Sequence, residues 1–164
     1  MTDEPPATED DSRAAFVYQE ALRGLLQQQA AVESLHARAA TLIFAASFAS
    51  SLLGARALAD GVGALDWIAL GLLVAIGCLA VFVLWPYYNF TFRFDPEVLL
   101  ARYVDVAEPP ALALIHRELA IQIKADWQAN GRIVRRLREA LQVALILLIA
   151  EIAAWLISIA EPTL

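Results

Sequence analysis

The chain has 164 residues, of which 60% are apolar and 18% are charged, and its formal net charge is −6. Soluble domains usually have about 45–50% apolar and about 25% charged residues, so this composition excludes an ordinary soluble domain and indicates a membrane protein. The acidic balance also argues against a nucleic-acid partner, because nucleic-acid binding depends on basic surfaces.

The chain begins with an acidic tail over residues 1–12, which we expect to be disordered. This tail has Pro5 and Pro6 and no large aliphatic residue after Met1. A segment of this kind cannot bury enough apolar surface to offset the entropy of ordering. Five of the eighteen acids of the chain lie here: Asp3, Glu4, Glu9, Asp10 and Asp11.

A helix is predicted over residues 13–59, and its second half is the first transmembrane segment. Residues 39–55 carry no charge, and about twenty helical residues cover the ~30 Å hydrocarbon core. The first half has apolar residues at spacings of three, four or seven, which is typical of a helix packed against another helix. These positions are Tyr18, Ala21, Leu25, Val32 and Leu35.

The second transmembrane segment is predicted over residues 67–86, after a short external loop at 60–66. Trp67 and Trp85 flank the uncharged run WIALGLLVAIGCLAVFVLW, and tryptophans at both ends of a span are typical of the two membrane interfaces. Pro86 follows directly and should end the helix.

Residues 87–138 are predicted to be a cytoplasmic helical region. Asp95, Pro96 and Glu97 have the order of an N-cap, a first-turn proline and an early acid, which opens a short helix. A second apolar stripe includes Leu119, Ile123 and Trp127. We expect this stripe to pack with Leu25, Val32 and Leu35 as a cytoplasmic stalk, within one chain or between copies. The third transmembrane segment, 139–160, and an external tail, 161–164, follow.

The distribution of basic residues predicts the orientation. Eight of the twelve lie between Arg93 and Arg138, and three more precede the first span. Under the positive-inside rule both regions are cytoplasmic. The predicted fold is therefore all-α, with three transmembrane helices, an inner-membrane location, a cytoplasmic N-terminus and an external C-terminus.

Glu151 interrupts the third span and is the leading candidate site residue. An ionised carboxylate within a membrane helix costs at least about 2.5–3.5 kcal/mol, so such a group is usually neutralised, paired or exposed to water. If the first and third spans run parallel, Ser47, Ser50 and Ser51 lie at its depth. Three interpretations stay open: a hydrogen bond that joins helices, the lining of an oligomeric pore, and a proton-sensitive site.

Small residues at four-residue spacing on the first two spans predict close helix packing. On the first span they are Ala46, Ser50 and Gly54, and on the second they are Gly71 and Ala75.

Four arginines directly before the third span, Arg132, Arg135, Arg136 and Arg138, are predicted to contact lipid headgroups; a phosphate site is the alternative. His36 and His116 are isolated, and the single cysteine, Cys78, allows no intramolecular disulfide. Intramembrane catalysis needs paired catalytic groups, whereas one ionisable group lies deep in these spans. We therefore expect no enzyme activity, no cofactor and no metal.

The order of these parts is similar to that of a group of uncharacterised small bacterial multi-pass membrane proteins and, more distantly, resembles the SLATT and Pycsar-type transmembrane effector modules of antiphage nucleotide signalling. The matching segments are ALRGLLQQQAAVESLHARAATL, DPEVLLARY and LIAEIAAWL. The resemblance implies a homo-oligomer that permeabilises or disrupts the inner membrane on a signal. The alternative is a scaffold subunit whose stalk docks a cytoplasmic protein partner.

Overall fold

The structure is a computed structural model that describes residues 9–86, 90 and 94–160. Within these residues every regular element is a helix, which confirms the all-α prediction. Three helices are long and apolar enough to cross a membrane, namely Glu9–Ala57, Ala64–Leu84 and Leu112–Ala160. The predicted tail residues 1–8 and 161–164 lie outside the described residues, as do 87–89 and 91–93.

Helix α1 spans Glu9–Ala49, so residues 9–12 of the predicted disordered tail are helical instead. Acidic side chains occupy the first turn of the helix, where the positive end of the helix dipole stabilises negative charge. Arg13 also pairs with Glu9 one turn away. These local interactions extend the helix toward the N-terminus despite the polar composition.

A π-helical turn, Ser50–Gly54, follows α1. The buried positions of α1 before it, from Val32 to Ala46, recur at spacings of three and four. Continuing that pattern from Ala46 would bring Leu53 inward, yet the next fully buried residue is Gly54. A π-turn contains one more residue per hydrogen-bonded ring than an α-turn, so it absorbs this shift of one residue.

The connection to the second apolar helix is shorter than the predicted loop at 60–66. A short α-helix, Ala55–Ala57, and a 3₁₀ turn, Leu58–Asp60, continue the chain. Gly61 has a φ of 114°, a conformation that glycine adopts without steric cost. Helix α2 then spans Ala64–Leu84, so residues 64–66 of the predicted loop belong to this helix.

Helix α3 spans Pro96–Tyr103, and the carboxylate of Asp95 accepts a hydrogen bond from the backbone N–H of Glu97 at 3.0 Å. The predicted cap is thereby confirmed. Helix α4 spans Leu112–Ala160 without interruption. The carboxylate of Glu118 on α4 accepts hydrogen bonds from Arg102 at 3.1 Å and from Tyr103 at 2.9 Å, which attach α3 to α4.

The chain divides into two compact units. The described residues of the first unit are 9–31, 90 and 94–133, and those of the second unit are 32–86 and 134–160. The second unit holds all of the uncharged stretches described above. Within each unit the first long helix and α4 run parallel, because contacts that lie further along one also lie further along the other. In the first unit Tyr18 stacks on His116, and Gln28 bonds to Trp127. In the second unit Ser50 bonds to Glu151, and Gly54 contacts Trp155.

The residues predicted to pack a stalk are mostly buried within this single chain. Leu25, Leu119 and Ile123 are buried in the first unit, and Val32 and Leu35 are buried in the second.

Trp127 departs from this prediction, since it is 48% exposed. Its carbonyl accepts a hydrogen bond from the side-chain amide of Gln28 at 2.9 Å. Its indole lies beside Gly24, where an added Cβ would be 3.9 Å from the ring. The ring therefore rests against the backbone of α1 at a position without a side chain, which leaves its outer face uncovered.

Candidate functional site

Glu151 on α4 is completely buried in the second unit. The hydroxyl of Ser50 donates a hydrogen bond to its Oε1 atom. The indole Nε1–H of Trp155 donates to the same oxygen at 3.3 Å. The other oxygen, Oε2, has no hydrogen-bond partner among the described residues. The carboxyl group thus joins α4 to the π-turn through one oxygen.

Four-residue spacing in the sequence helps to place Glu151, Trp155 and Ser50 together. Trp155 is four residues after Glu151 and therefore lies one turn further along the same face of α4. Gly54 is four residues after Ser50, and a Cβ added there would lie 3.3 Å from the Trp155 ring. Because glycine has no side chain at this contact, the indole can pack directly against the π-turn. Ala46 is also buried, so the first small-residue ridge packs as predicted.

Of the three serines predicted near Glu151, the structure brings Ser50 to the carboxyl group. The side chains of Ser47 and Ser51 are exposed. Neighbouring helical residues point about 100° apart, so Ser51 faces away from α4 although it lies at almost the same depth. Equal depth was therefore insufficient to predict a contact.

The second small-residue ridge, Gly71 and Ala75 on α2, is less buried than the first. Gly71 is exposed, and a Cβ added to it would meet no described atom within 4 Å. Ala75 is partly buried. Within the described part of the chain, this ridge makes no close helix packing at Gly71.

A second polar contact in the same unit involves Asp66, which is 2% exposed. The hydroxyl of Ser158 donates to its Oδ1 at 2.6 Å, and the backbone N–H of Gly63 donates to its Oδ2 at 2.7 Å. Sequence reasoning assigned Asp66 to a loop and missed this contact. The available signal was an acid three residues after a glycine at the start of an apolar run, a position that satisfies the free N–H groups of a helix N-terminus.

A small apolar cluster accompanies these two polar contacts. Its buried members are Ala69, Ala154 and Trp155, with Leu53, Ala57 and Leu70 packed against them. Trp155 belongs to this cluster while its N–H bonds to Glu151, which is the usual arrangement of a buried indole. Trp155 was not predicted as a partner of Glu151, although the four-residue spacing was visible.

This geometry suits a structural hydrogen bond better than a pore lining. A residue that lines a pore contacts water, whereas Glu151 is 0% exposed within one chain. The donor from Ser50 belongs to a different element from Glu151, as expected for a polar group that joins helices in an apolar environment. No group of three or more His, Cys, Asp or Glu side chains that could hold a metal occurs among the described residues.

The four predicted headgroup contacts, Arg132, Arg135, Arg136 and Arg138, are all exposed. The Nε atom of Arg135 lies 3.9 Å from Oε1 of Glu139, and both side chains are more than half exposed. This ion pair therefore contributes little to stability. Exposed arginine side chains can reach anionic groups at the surface, and the contact of these four with lipid stays a prediction.

Comparison of the chain with protein-family models, with curated proteins and with solved structures finds no match. The resemblance to membrane effector modules accordingly stays a prediction.

Proposed function

We propose that this chain is a self-associating inner-membrane protein that acts through contacts between its copies. Three helices are long and apolar enough to cross a membrane, which supports the membrane location. The excess of basic residues before the first and third predicted spans supports a cytoplasmic first unit. Glu151, Ser50 and Trp155 have a supporting role in this proposal, because they hold the helices of one copy together.

The observation that carries the proposal is the set of exposed apolar side chains on the first unit, whose residues lie outside the uncharged segments. Each Å² of apolar side chain that contact removes from water contributes about 25 cal/mol, so contact with another protein surface would stabilise these side chains. The largest exposures on α1 and α4 in this unit are Phe16 64%, Val17 55%, Leu26 54%, Leu112 58% and Ile121 61%.

The biological role that we favour is a membrane effector whose assembly, controlled by the first unit, disrupts the bilayer. The alternative is a scaffold in which the same apolar side chains dock a different cytoplasmic protein. The two differ in whether the purified chain assembles by itself, so the oligomeric state distinguishes them.

The experiment compares adjacent leucines with opposite environments. Leu25 is 3% exposed and Leu26 is 54% exposed. The variant Leu26→Asp with Ile121→Asp should preserve the fold and reduce the oligomer, because both side chains are on the surface. Leu25→Asp is the matched control and should unfold the first unit, because it places a charge in a packed interior.

Particle mass should be measured in native-like lipid, with circular dichroism as the measure of folding. A smaller particle with unchanged helicity for the surface variant supports the proposal. If the unaltered chain is monomeric in lipid, or if the surface variant keeps the full oligomer size, this assignment is wrong. A monomer that binds a cytoplasmic protein through Leu26 and Ile121 would instead establish the scaffold role.

A further inference from the structure

Arg38 on α1 and Arg138 on α4, which we call the arginine pair, lie at nearly the same depth in the second unit. Arg38 directly precedes the uncharged residues 39–55, and Arg138 is the last basic residue before the third predicted span. The bond between Ser50 and Glu151 fixes the relative depth of the two helices. Counted back from that bond at ~1.5 Å per residue, Arg38 lies about 18 Å along α1 and Arg138 about 20 Å along α4.

The arginine pair also lies on one side of the two helices. Viewed from the N-termini, the buried residues of α1 from Val32 to Ala46 are centred about 80° clockwise of Arg38. The buried residues of α4 from Val134 to Ala144 are centred about 90° counterclockwise of Arg138. Because α1 and α4 run parallel, these opposite rotations bring both arginines to the same side of the two helices.

Helix α2 packs on the opposite side. Ser158 on α4 donates to Asp66 near the start of α2, and Ser158 points about 160° away from Arg138 around the axis of α4. Leu145 and Ile149 lie within about 20° of Arg138 around that axis. They are 47% and 70% exposed, so α2 leaves this side of α4 uncovered.

Both guanidinium groups of the arginine pair are available to an anion, since both residues are exposed. Neither pairs with a carboxylate of the described residues, where the arginines in ion pairs are Arg13, Arg23, Arg102 and Arg135. Packed helices have axes about 8–10 Å apart, so arginines from two neighbouring helices can reach one phosphate group. The guanidinium fork matches the oxygens of that group.

We propose that the arginine pair binds the phosphate of one anionic phospholipid from the cytoplasmic leaflet, with an acyl chain along Leu145 and Ile149. That leaflet supplies anionic headgroups, and basic sites between membrane helices on this side bind them. Leu145 and Ile149 follow Arg138 by seven and eleven residues, and the same steps from Arg38 reach Ala45 and Ala49. The short alanine side chains leave space for the acyl chain beside the two apolar residues.

This site differs from a general attraction between arginines and headgroups. It uses one of the four arginines before the third span and adds Arg38 from the other helix. Arg136 is excluded because it points about 160° away from Arg138. The inference rests on the membrane location and orientation in the proposed function, and it is independent of self-association.

Lipid binding to the purified full chain in neutral detergent micelles tests the inference, with bound lipids counted by native mass spectrometry. The probes are phosphatidylglycerol, which is anionic, and phosphatidylcholine, which is neutral. Each cation near a headgroup strengthens binding of an anionic lipid by about fivefold. One phosphatidylglycerol per chain should therefore bind about 25-fold more tightly than phosphatidylcholine.

The variant Arg38→Gln with Arg138→Gln should lose that preference, and each single variant should lose about fivefold. The matched control is Arg132→Gln with Arg136→Gln, which removes the same charge from exposed positions and should keep the preference. Circular dichroism should show the same helicity for all variants, because every replaced side chain is on the surface. Equal losses in the two double variants would indicate general charge attraction and would overturn the inference.

Two further arms identify the ligand and the location. Glycerol phosphate has the charged group without acyl chains, so it should not displace bound phosphatidylglycerol. Displacement at equal concentration would indicate a site for a dissolved phosphate and would overturn the lipid assignment. Flotation with phosphatidylcholine vesicles measures membrane location separately. A chain that floats but binds both lipids equally overturns the inference alone, and a chain that does not float overturns the membrane location as well.

Discussion

The hydrogen bond between Ser50 and Glu151 should appear as a coupling energy between the two positions. The perturbation is a double-mutant cycle built from Ser50→Ala and Glu151→Leu. Replacing Glu151 alone leaves two donors without an acceptor, the hydroxyl of Ser50 and the indole of Trp155. Each donor that stays buried and unpaired costs about 1–3 kcal/mol. Trp155 is unpaired whether or not Ser50 is also replaced, so its contribution cancels and the cycle isolates the bond to Ser50.

The expected coupling energy is about 0.6 kcal/mol, with an upper value of about 1.7 kcal/mol, as measured for hydrogen bonds between membrane helices. The free energy of unfolding should be measured in mixed micelles with increasing denaturing detergent, followed by circular dichroism. Tryptophan fluorescence is unsuitable because Trp155 is itself in the contact.

Ser47 provides the matched control, since it is a serine three residues away on the same helix and its side chain is exposed. The cycle of Ser47→Ala with Glu151→Leu should give a coupling energy near zero. If the Ser50 cycle gives the same value as the Ser47 cycle, the assignment of Ser50 as the partner of Glu151 is refuted.

Two further predictions concern packing and pH. Gly54→Ala should lower the free energy of unfolding by about 1–3 kcal/mol, because the new Cβ would lie 3.3 Å from the Trp155 ring. Gly71→Ala should instead raise the free energy of unfolding by up to about 1 kcal/mol, because its new Cβ would meet nothing within 4 Å. Unfolding in detergent measures both changes, and the same sign for the two variants would contradict this prediction. Burial and the hydrogen bond to Glu118 raise the pKa of the Tyr103 phenol, so the folded state retains its proton at a pH where the unfolded state has lost it, and stability should fall as the pH rises above about 10. Tyr103→Phe should remove that part of the loss of stability at alkaline pH, as measured from thermal unfolding curves. If the stability of the variant depends on pH in the same way as that of the unaltered chain, the assignment of this effect to Tyr103 is wrong.

The exposed side of Trp127 shows a limit of periodicity in sequence. Its spacing matches that of Leu119 and Ile123, and those two are buried whereas Trp127 is 48% exposed. The pattern predicts which face of a helix is turned inward. It does not predict how large a side chain the neighbouring backbone can cover, and here the neighbour is Gly24.

Some features of this protein follow from the sequence alone because their causes are local. Three long apolar stretches predict three membrane-capable helices, since hydrocarbon requires internally satisfied backbone groups over a defined length. The start of α3 follows from Asp95 and Pro96, because a cap bonds to a backbone group two residues away. The depth shared by Ser50 and Glu151 also follows, from equal rise along two parallel helices.

The tertiary structure decided which side chains meet at that depth. Ser50 faces Glu151 while Ser47 and Ser51 face outward, because the rotation of the first helix about its axis, including the π-turn, depends on packing against α4. The bond between Asp66 and Ser158 joins residues 92 positions apart, and no local spacing encodes it. Helical rise is a property of each segment, whereas rotation and pairing depend on the free energy of the packed whole.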